Sequence, residues 1–448
     1  MNLSERDKQV IWHPYTQQKT AELPIPIVRG EGAYLFDEKG NKYIDAVSSW
    51  WTNIHGHAHP YIAEKVFQQL KTLEHVMFAG FTHPTAVELA ERLLKILPVN
   101  QSKIFYSDNG STAVEVALKM AFQYWHNQKV EKKKVIAFKN AYHGDTFGAM
   151  SVSGRSAFTK PFDPFLFDVI FIDAPIKGKE EESIQQMKFQ ISNPPDGRAS
   201  LTSQISSFIF EPLIQGTAGM IMYEAEPLNE LMKICKENNI LTIADEVMTG
   251  FGRTGKYFAT NNLSEQPDII CLSKGITGGT MALGVTSCSE KIYNAFLFDE
   301  KIPLSQGRGV RGEVKTFFHG HSYAANPIAC SAALASLDLL EKKECWENIN
   351  RIELQHKDFV NKLRTLNLPT KDIRSLGTIL AIEINTGEET SYFNDIKNTA
   401  NKFFLERGII LRPLGNILYI MPPYCISNED LKFIYDGIVE FLNIPVRD

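Results

Sequence analysis

Cysteine is scarce and scattered in this chain. Cys235, Cys271, Cys288, Cys330, Cys345 and Cys425 form no C-x-x-C pair. That excludes a disulfide frame and a cysteine zinc site, and the thiols read as reduced groups of a cytoplasmic protein. An excess of charge of one sign is missing too: 47 Lys and Arg stand against 52 Asp and Glu. Nothing in that balance calls for a nucleic acid or a membrane surface as partner. No apolar run is long enough to span a bilayer. The stretch Met1 to Lys8 lacks an apolar h-region, so no secretory signal is expected. The one dense basic run, Lys132-Lys133-Lys134, precedes an apolar strand and reads as a solvated helix end.

What is present has the composition of a globular enzyme. The chain has 448 residues, 44% of them hydrophobic and 22% charged, enough for two or three packed units. Two motifs invite readings that their context rejects. His55, His57 and His59 alternate as strand ligands would, but Gly56 and Pro60 break a strand and no carboxylate stands at ligand spacing, so no metal is expected. Gly307-Arg-Gly-Val-Arg-Gly312 matches G-x-G-x-x-G without a strand before it and a helix after it, and reads as a loop.

From about residue 100 to 290, apolar runs alternate with helical patterns. The strands expected are Ser102–Ser107, Lys134–Phe138, Phe167–Asp173, Ser206–Phe210, Ile240–Ala244, Asp268–Lys274 and Leu283–Cys288. Such a series predicts an α/β fold with a mostly parallel central sheet and helices on both faces. The segments outside it lack the alternation, and the first of them has strand and loop character. Ala33–Asp37 and Lys42–Asp45 predict a β-hairpin, and the C-terminal third predicts a small α+β unit that packs with the N-terminal segment. The expected division is 1–60 with 326–448 in a small domain, and 61–325 in a large one. The polar stretch 177–203 reads as a surface excursion around one helix.

Ligands of such sheets bind beyond the carboxyl ends of the strands, and four of those ends carry chemistry. Asp268–Lys274 stops at a lysine followed by Gly275, Gly278 and Gly279. Alone, a strand-end lysine more often snorkels to water. Asp245 ends another strand, Tyr142 follows a third, and Gly110-Ser111 follows a fourth at a helix start that Thr112 and Glu115 would cap. Together they suit pyridoxal 5'-phosphate (PLP). Lys274 would hold it covalently as a Schiff base and move protons, while Asp245 would keep the pyridine nitrogen protonated. Tyr142 would stack on the ring, and Gly110 and Ser111 would take the phosphate at the helix N-terminus.

The run Ala244-Asp-Glu-Val-Met-Thr-Gly-Phe-Gly-Arg-Thr-Gly255, with Ser273-Lys274-Gly275 after it, resembles the signature of the class III PLP-dependent aminotransferases. The resemblance covers nearly the whole chain. It implies the fold type I architecture: a large sheet domain, a small domain from both termini, and a homodimer with shared active sites. Trp12-His13-Pro14-Tyr15-Thr16, Ser49-Trp50-Trp51, Tyr142-His143-Gly144-Asp145-Thr146 and Arg412-Pro413-Leu414-Gly415 resemble the biotin-pathway branch of that class. The likeness implies transamination of 8-amino-7-oxononanoate, with S-adenosylmethionine or else lysine as donor. It implies that Tyr15, Trp50 and Tyr142 line the substrate pocket, with Tyr15 also serving catalysis. It further implies that Arg412 takes a substrate carboxylate, and that Gly320, His321 and Ser322 reach the substrate and the cofactor phosphate of the partner subunit. Another class III ω-amine transaminase is the alternative.

Overall fold

The structure is a computed structural model and describes residues 1–192, 204–297 and 315–444. The Gly307–Gly312 loop and the end of the polar stretch, 193–203, lie outside them. Three strands come first: β1 (Ile27–Glu31), β2 (Tyr34–Asp37) and β3 (Lys42–Asp45). β2 and β3 form the antiparallel hairpin that Ala33–Asp37 and Lys42–Asp45 predict.

The central sheet follows. Its strands are β4 (Gln101–Ser107), β5 (Lys134–Phe138), β6 (Val169–Ile172) and β7 (Ile205–Phe210). After a two-residue hairpin, β8 (Ile214–Gln215) with β9 (Ile221–Met222), come β10 (Leu241–Asp245), β11 (Ile269–Leu272) and β12 (Gly284–Ser289). The spatial order is β4-β12-β11-β10-β7-β5-β6. β12 runs antiparallel to both its neighbours, while β11, β10, β7, β5 and β6 are mutually parallel.

The sheet is buried on both faces, as crossover helices require. Alternate residues enter separate cores. Val135, Ala137, Ile209, Leu241, Ile243, Ile269 and Cys271 meet the helix Gly110–Asn127 on one face. Ile136, Phe138, Phe208, Phe210, Ala244, Ile270 and Leu272 join the larger core on the other. Helix Ala225–Glu237 closes over that second face through Leu228, Leu231 and Met232. This two-residue period fixes which strand-end side chains can turn into the crevice.

The rest of the chain forms a three-stranded antiparallel sheet, β13 (Thr370–Leu376), β14 (Ile379–Ile384) and β16 (Ile417–Ile420). Between them β15 (Ile409–Ile410) pairs in parallel with β3, which ties the two ends of the chain into one sheet. Gly408 adopts φ +71 just before β15 and stops the helix Ile396–Glu406, where a side chain would meet the Lys42 carbonyl at 2.8 Å.

Three local expectations are corrected. The first segment is not only strand and loop: Leu3–Val10 is a helix, started by a capping box between Asn2 and Glu5. Helix Gly110–Asn127 is capped by Asn109 with Thr112, one turn earlier than expected. Glu115 instead accepts hydrogen bonds from the backbone of Gly148 (2.7 Å) and Ala149 (3.0 Å). Lys132 is not solvated. Its ammonium donates to the Asn239 carbonyl and lies 4.0 Å from the Trp125 ring centroid, and burial brings its pKa down to about 8.

Candidate active site

The carboxyl ends of β4, β5, β7, β10 and β11 open into one cavity of about 640 Å³. Gly110, Ser111, Tyr142, Asp245 and Lys274 all line it, so the structure brings together the strand-end residues singled out in the sequence. Lys274 begins a short 3₁₀ turn, Lys274–Thr277, in the left-handed region at φ +47. Its ammonium faces the Trp51 ring, 4.6 Å from the centroid. Burial lowers its pKa from 10.5 to about 8, against the upward pull of Asp245 and Glu211.

Asp245 is buried at the end of β10. Its Oδ1 accepts the Val247 amide (3.0 Å), and its Oδ2 lies 2.7 Å from His143 Nδ1. Each oxygen therefore still has a lone pair for a further donor. His143 is the first functional candidate left unassigned by the sequence. Its Nδ1 is held by Asp245, while its buried Nε2 has no hydrogen-bond partner. Glu211 is the second. It follows β7 and lines the cavity, and it accepts the Tyr142 amide (3.0 Å) and the Gly216 amide (2.9 Å). Burial, helped by Asp245, raises its pKa from 4.5 to about 7. The rule that selected Asp245, a carboxylate at the end of an apolar strand, would have found Glu211 as well.

An anion cradle lies at the start of helix Gly110–Asn127. A Cβ on Gly110 would come within 2.7 Å of Val247 Cγ1, so only glycine lets the backbone approach this closely. Gly144, at φ +132, sits against Ser111, where a Cβ would fall 2.1 Å from Oγ. The free N–H groups of the first helical turn supply positive potential there.

The mouth of the cavity is aromatic. Tyr15 donates to Asp145 and stands 3.3 Å from the Tyr142 hydroxyl, which itself donates to Asp145 at 3.0 Å. Burial and the Asp145 bond push the Tyr15 pKa up to about 12, so its hydroxyl stays protonated at neutral pH. Trp50 meets the edge of Tyr15 at 5.6 Å, and the exposed Arg412 guanidinium lies 4.0 Å from the Trp50 ring centroid. Ser48, Ser49, Trp50 and Trp51 all have φ between +44 and +75, values taken from a left-handed turn. Each such residue costs roughly 1–2 kcal/mol, so the turn is strained and has to be held from outside. Of the three histidines, His57 turns to Asp45, while His55 faces Ser336 and meets His59 edge-on at 6.4 Å between ring centroids. Gly320, His321 and Ser322 do not line the cavity of their own chain.

Residues 15–442 match the family described as aminotransferase class-III, and the chain belongs to that family. It is 43% identical to a Synechococcus elongatus protein named adenosylmethionine-8-amino-7-oxononanoate aminotransferase, across 97% of this chain and 98% of that one. The crystal structure of a Methanocaldococcus jannaschii protein of the same name has a TM-score of 0.88 at 37% identity, covering 98% of both chains. An amine transaminase from an uncultivated Pseudomonas species, solved in a PLP-bound form, has a TM-score of 0.87 at 27% identity over 97% of this chain and 98% of that one.

Class III aminotransferases depend on PLP, and the cavity fits that group. A glycine cradle suits its phosphate, a buried carboxylate with spare lone pairs suits its ring nitrogen, and a lysine near pKa 8 suits its aldehyde. The partnerless His143 Nε2 marks the same cavity wall as built for a polar ligand.

Proposed function

We propose that this aminotransferase moves an amino group from S-adenosylmethionine to 8-amino-7-oxononanoate, giving 7,8-diaminononanoate for biotin synthesis. One observation carries the choice of acceptor. The Arg412 guanidinium lies over the Trp50 ring, 4.0 Å from its centroid, and takes part in no ion pair among the described residues. A long apolar acid suits this arrangement. Its chain follows the aromatic wall of Tyr15, Trp50 and Tyr142, and its carboxylate meets the arginine fork. The names of the relatives support the same substrates.

PLP, when bound, supplies the electron sink that makes a carbon–hydrogen bond next to the transferred nitrogen acidic. The chain supplies everything else. The N–H groups at Gly110 and Ser111 bind the phosphate. Asp245, oriented by His143 and Val247, keeps the ring nitrogen protonated. Lys274 takes and returns the proton, a task for which a pKa near 8 leaves a usable fraction of free amine at neutral pH. Trp51 covers one side of the Lys274 ammonium. Tyr142 would stack on the ring, its own hydroxyl held by Asp145 beside Tyr15.

The chain works as a cytoplasmic homodimer in this reading. Gly320, His321 and Ser322 stay away from their own cavity, which supports their reaching the cofactor phosphate of a second copy. Exposed Trp12 (88%), Phe318 (79%) and Tyr323 (65%) are surface that such a partner would cover.

The test gives the purified holoenzyme 8-amino-7-oxononanoate with either S-adenosylmethionine or lysine, and measures the diamine by mass spectrometry. Diamine with S-adenosylmethionine is expected. Diamine with lysine alone would reassign the donor, and none with either would overturn the acceptor while leaving the family intact. Arg412→Ala should raise the acceptor KM by about 10- to 100-fold, as expected for one charged hydrogen-bonding pair of roughly 1.5–3 kcal/mol. Its kcat at saturation should change little, because Arg412 stands away from the reacting atoms. An unchanged KM would remove the carboxylate assignment.

A further inference from the structure

The strained turn Ser48–Trp51 contains no glycine, yet it carries both tryptophans of the site. Something must hold it. Behind it lies a hydrogen-bonded chain that the reaction itself does not use. Asp45, fully buried at the end of β3, accepts the Val47 amide on Oδ1 at 3.2 Å. Its Oδ2 accepts the Ser49 hydroxyl at 2.8 Å and faces His57 Nε2 at 2.8 Å. On the other side of the ring, His57 Nδ1 lies 3.0 Å from Asn53 Nδ2. The amide donates, so Nδ1 accepts and Nε2–H donates to Asp45.

This chain spans the turn. Val47 precedes it, Ser49 belongs to its first half and Asn53 follows its end. Asn53 in turn packs on Gly279 of the cavity wall, where a Cβ would fall 2.1 Å from Oδ1. His57 is itself fixed to the hairpin: its amide donates to the Gly32 carbonyl at 2.7 Å, and its Cβ lies where a side chain on Gly30 would be, at 2.6 Å. The far side of the turn is tied by Ser48 Oγ to the Met421 carbonyl (2.8 Å) and by Trp51 Nε1 to the Tyr419 hydroxyl (3.1 Å). What the turn presents is the Trp50 ring beneath Arg412 and the Trp51 ring against Lys274.

We propose that Asp45 and His57 are positioning residues: their buried pair, completed by Asn53, holds Ser48–Trp51 left-handed and so sets Trp50 where Arg412 and the acceptor meet it. The inference rests on the reading of Trp50 and Arg412 as the acceptor site. Without the pair, the turn relaxes and the Trp50 platform leaves Arg412 without its stacking surface. The cofactor residues, tied to the central sheet, stay in place, and Trp51 is kept against Lys274 by its own bond to the Tyr419 hydroxyl.

The experiment compares holoenzymes carrying His57→Phe, which fills the space but makes neither bond, and Asp45→Asn, which keeps the shape but not the charge. The acceptor KM is expected to rise about tenfold or more, since a displacement near 1 Å costs that much. The cofactor absorbance band should stay unchanged, and the near-UV circular dichroism of the tryptophans should shift. His57→Phe combined with Arg412→Ala should bind the acceptor no worse than Arg412→Ala alone, because both act on one contact. His356→Phe is the control for plain destabilisation: it breaks buried bonds to the Tyr435 hydroxyl and the Thr378 carbonyl without touching Asp45, His57 or Asn53, and should leave KM alone. A folded His57→Phe enzyme with wild-type KM and wild-type dichroism overturns the proposal, and so do effects that multiply with Arg412→Ala. If His57→Phe does not fold, Asp45→Asn decides by the same readouts. If Arg412→Ala itself keeps a wild-type KM, the acceptor reading fails, and the tryptophan dichroism still decides the positioning role.

Discussion

Replacing Lys274 by alanine is expected to lower turnover by about 10⁴-fold, the upper end of what a positioned proton-transfer group contributes. In the proposed mechanism the lysine does two jobs, covalent capture and proton movement, and no neighbour can take over either one. Glu211 is a carboxylate whose oxygens already accept two backbone amides. His143 is held through Nδ1 by Asp245. The mutant should still bind PLP through Gly110, Ser111 and Asp245, but borohydride should no longer fix the cofactor to the protein. Lys274→Arg separates charge from chemistry. A guanidinium keeps the positive charge but cannot give up a proton near neutral pH, so it too should be inactive. A Lys274→Arg enzyme within tenfold of wild type would sink the assignment.

The lysine also makes a prediction about pH. Its folded-state pKa of about 8 lies below the ordinary value of 10.5, and burial is the leading cause. Between those two values the unfolded chain binds more protons than the folded one, so this residue adds to the stability of the cofactor-free protein as pH rises from about 8 towards 10.5. Below 8 the charged amine is a cost to the fold. The rate at which the cofactor-free protein captures PLP covalently should rise with pH around a midpoint near 8. A midpoint near 10.5 would mean that the amine is not desolvated.

Much of this site can be read from sequence because parallel strands announce their ends. Lys134–Phe138, Ser206–Phe210 and Ile240–Ala244 are apolar runs that break off at polar residues, and in a sheet covered on both faces those breaks gather on one edge. Direction is not encoded in the same way. Gly284–Ser289 is as fully buried as its neighbour β11, yet it runs antiparallel between β11 and β4. The role of His143 was unreadable because it depends on a partner 102 residues away. Lys132 was misread because its acceptor, the Asn239 carbonyl, comes from a distant turn and its ring partner Trp125 from the preceding helix. The left-handed turn at Ser48–Trp51 left no trace in composition, since serine and tryptophan do not announce positive φ as glycine does. Tyr15, Trp50 and Arg412 entered through resemblance, because contacts at a cavity mouth between distant segments have no spacing to betray them.

Asp245→Asn is the second substitution expected to act strongly, with the amino-transfer half-reaction slowed by about 10²- to 10⁴-fold. That range corresponds to the roughly 3–5 kcal/mol lost when one partner of a buried charged pair is removed. Asparagine keeps the size of the side chain and can still accept the Val247 amide, so the fold should survive. Without its charge, however, the ring nitrogen of the cofactor has no reason to stay protonated, and His143 loses the carboxylate that orients it. The defect should appear in the proton-transfer step, measured by rapid mixing with the amino donor, and not in the acceptor KM, which the proposed site sets at Arg412. Two neighbours report on the missing charge independently of turnover. Asp245 raises the pKa of Lys274 and also that of Glu211, so both should fall in the mutant, from about 8 and about 7 respectively. For Lys274 this means that covalent capture of PLP by the cofactor-free mutant begins at lower pH than in the wild type, even though its catalysis is slower. A mutant that merely loosened the cavity would let water in and move the Lys274 pKa the other way, back towards 10.5. The direction of that shift therefore separates an electrostatic role for Asp245 from a structural one, and an undiminished half-reaction rate would refute both the charge argument and the assignment.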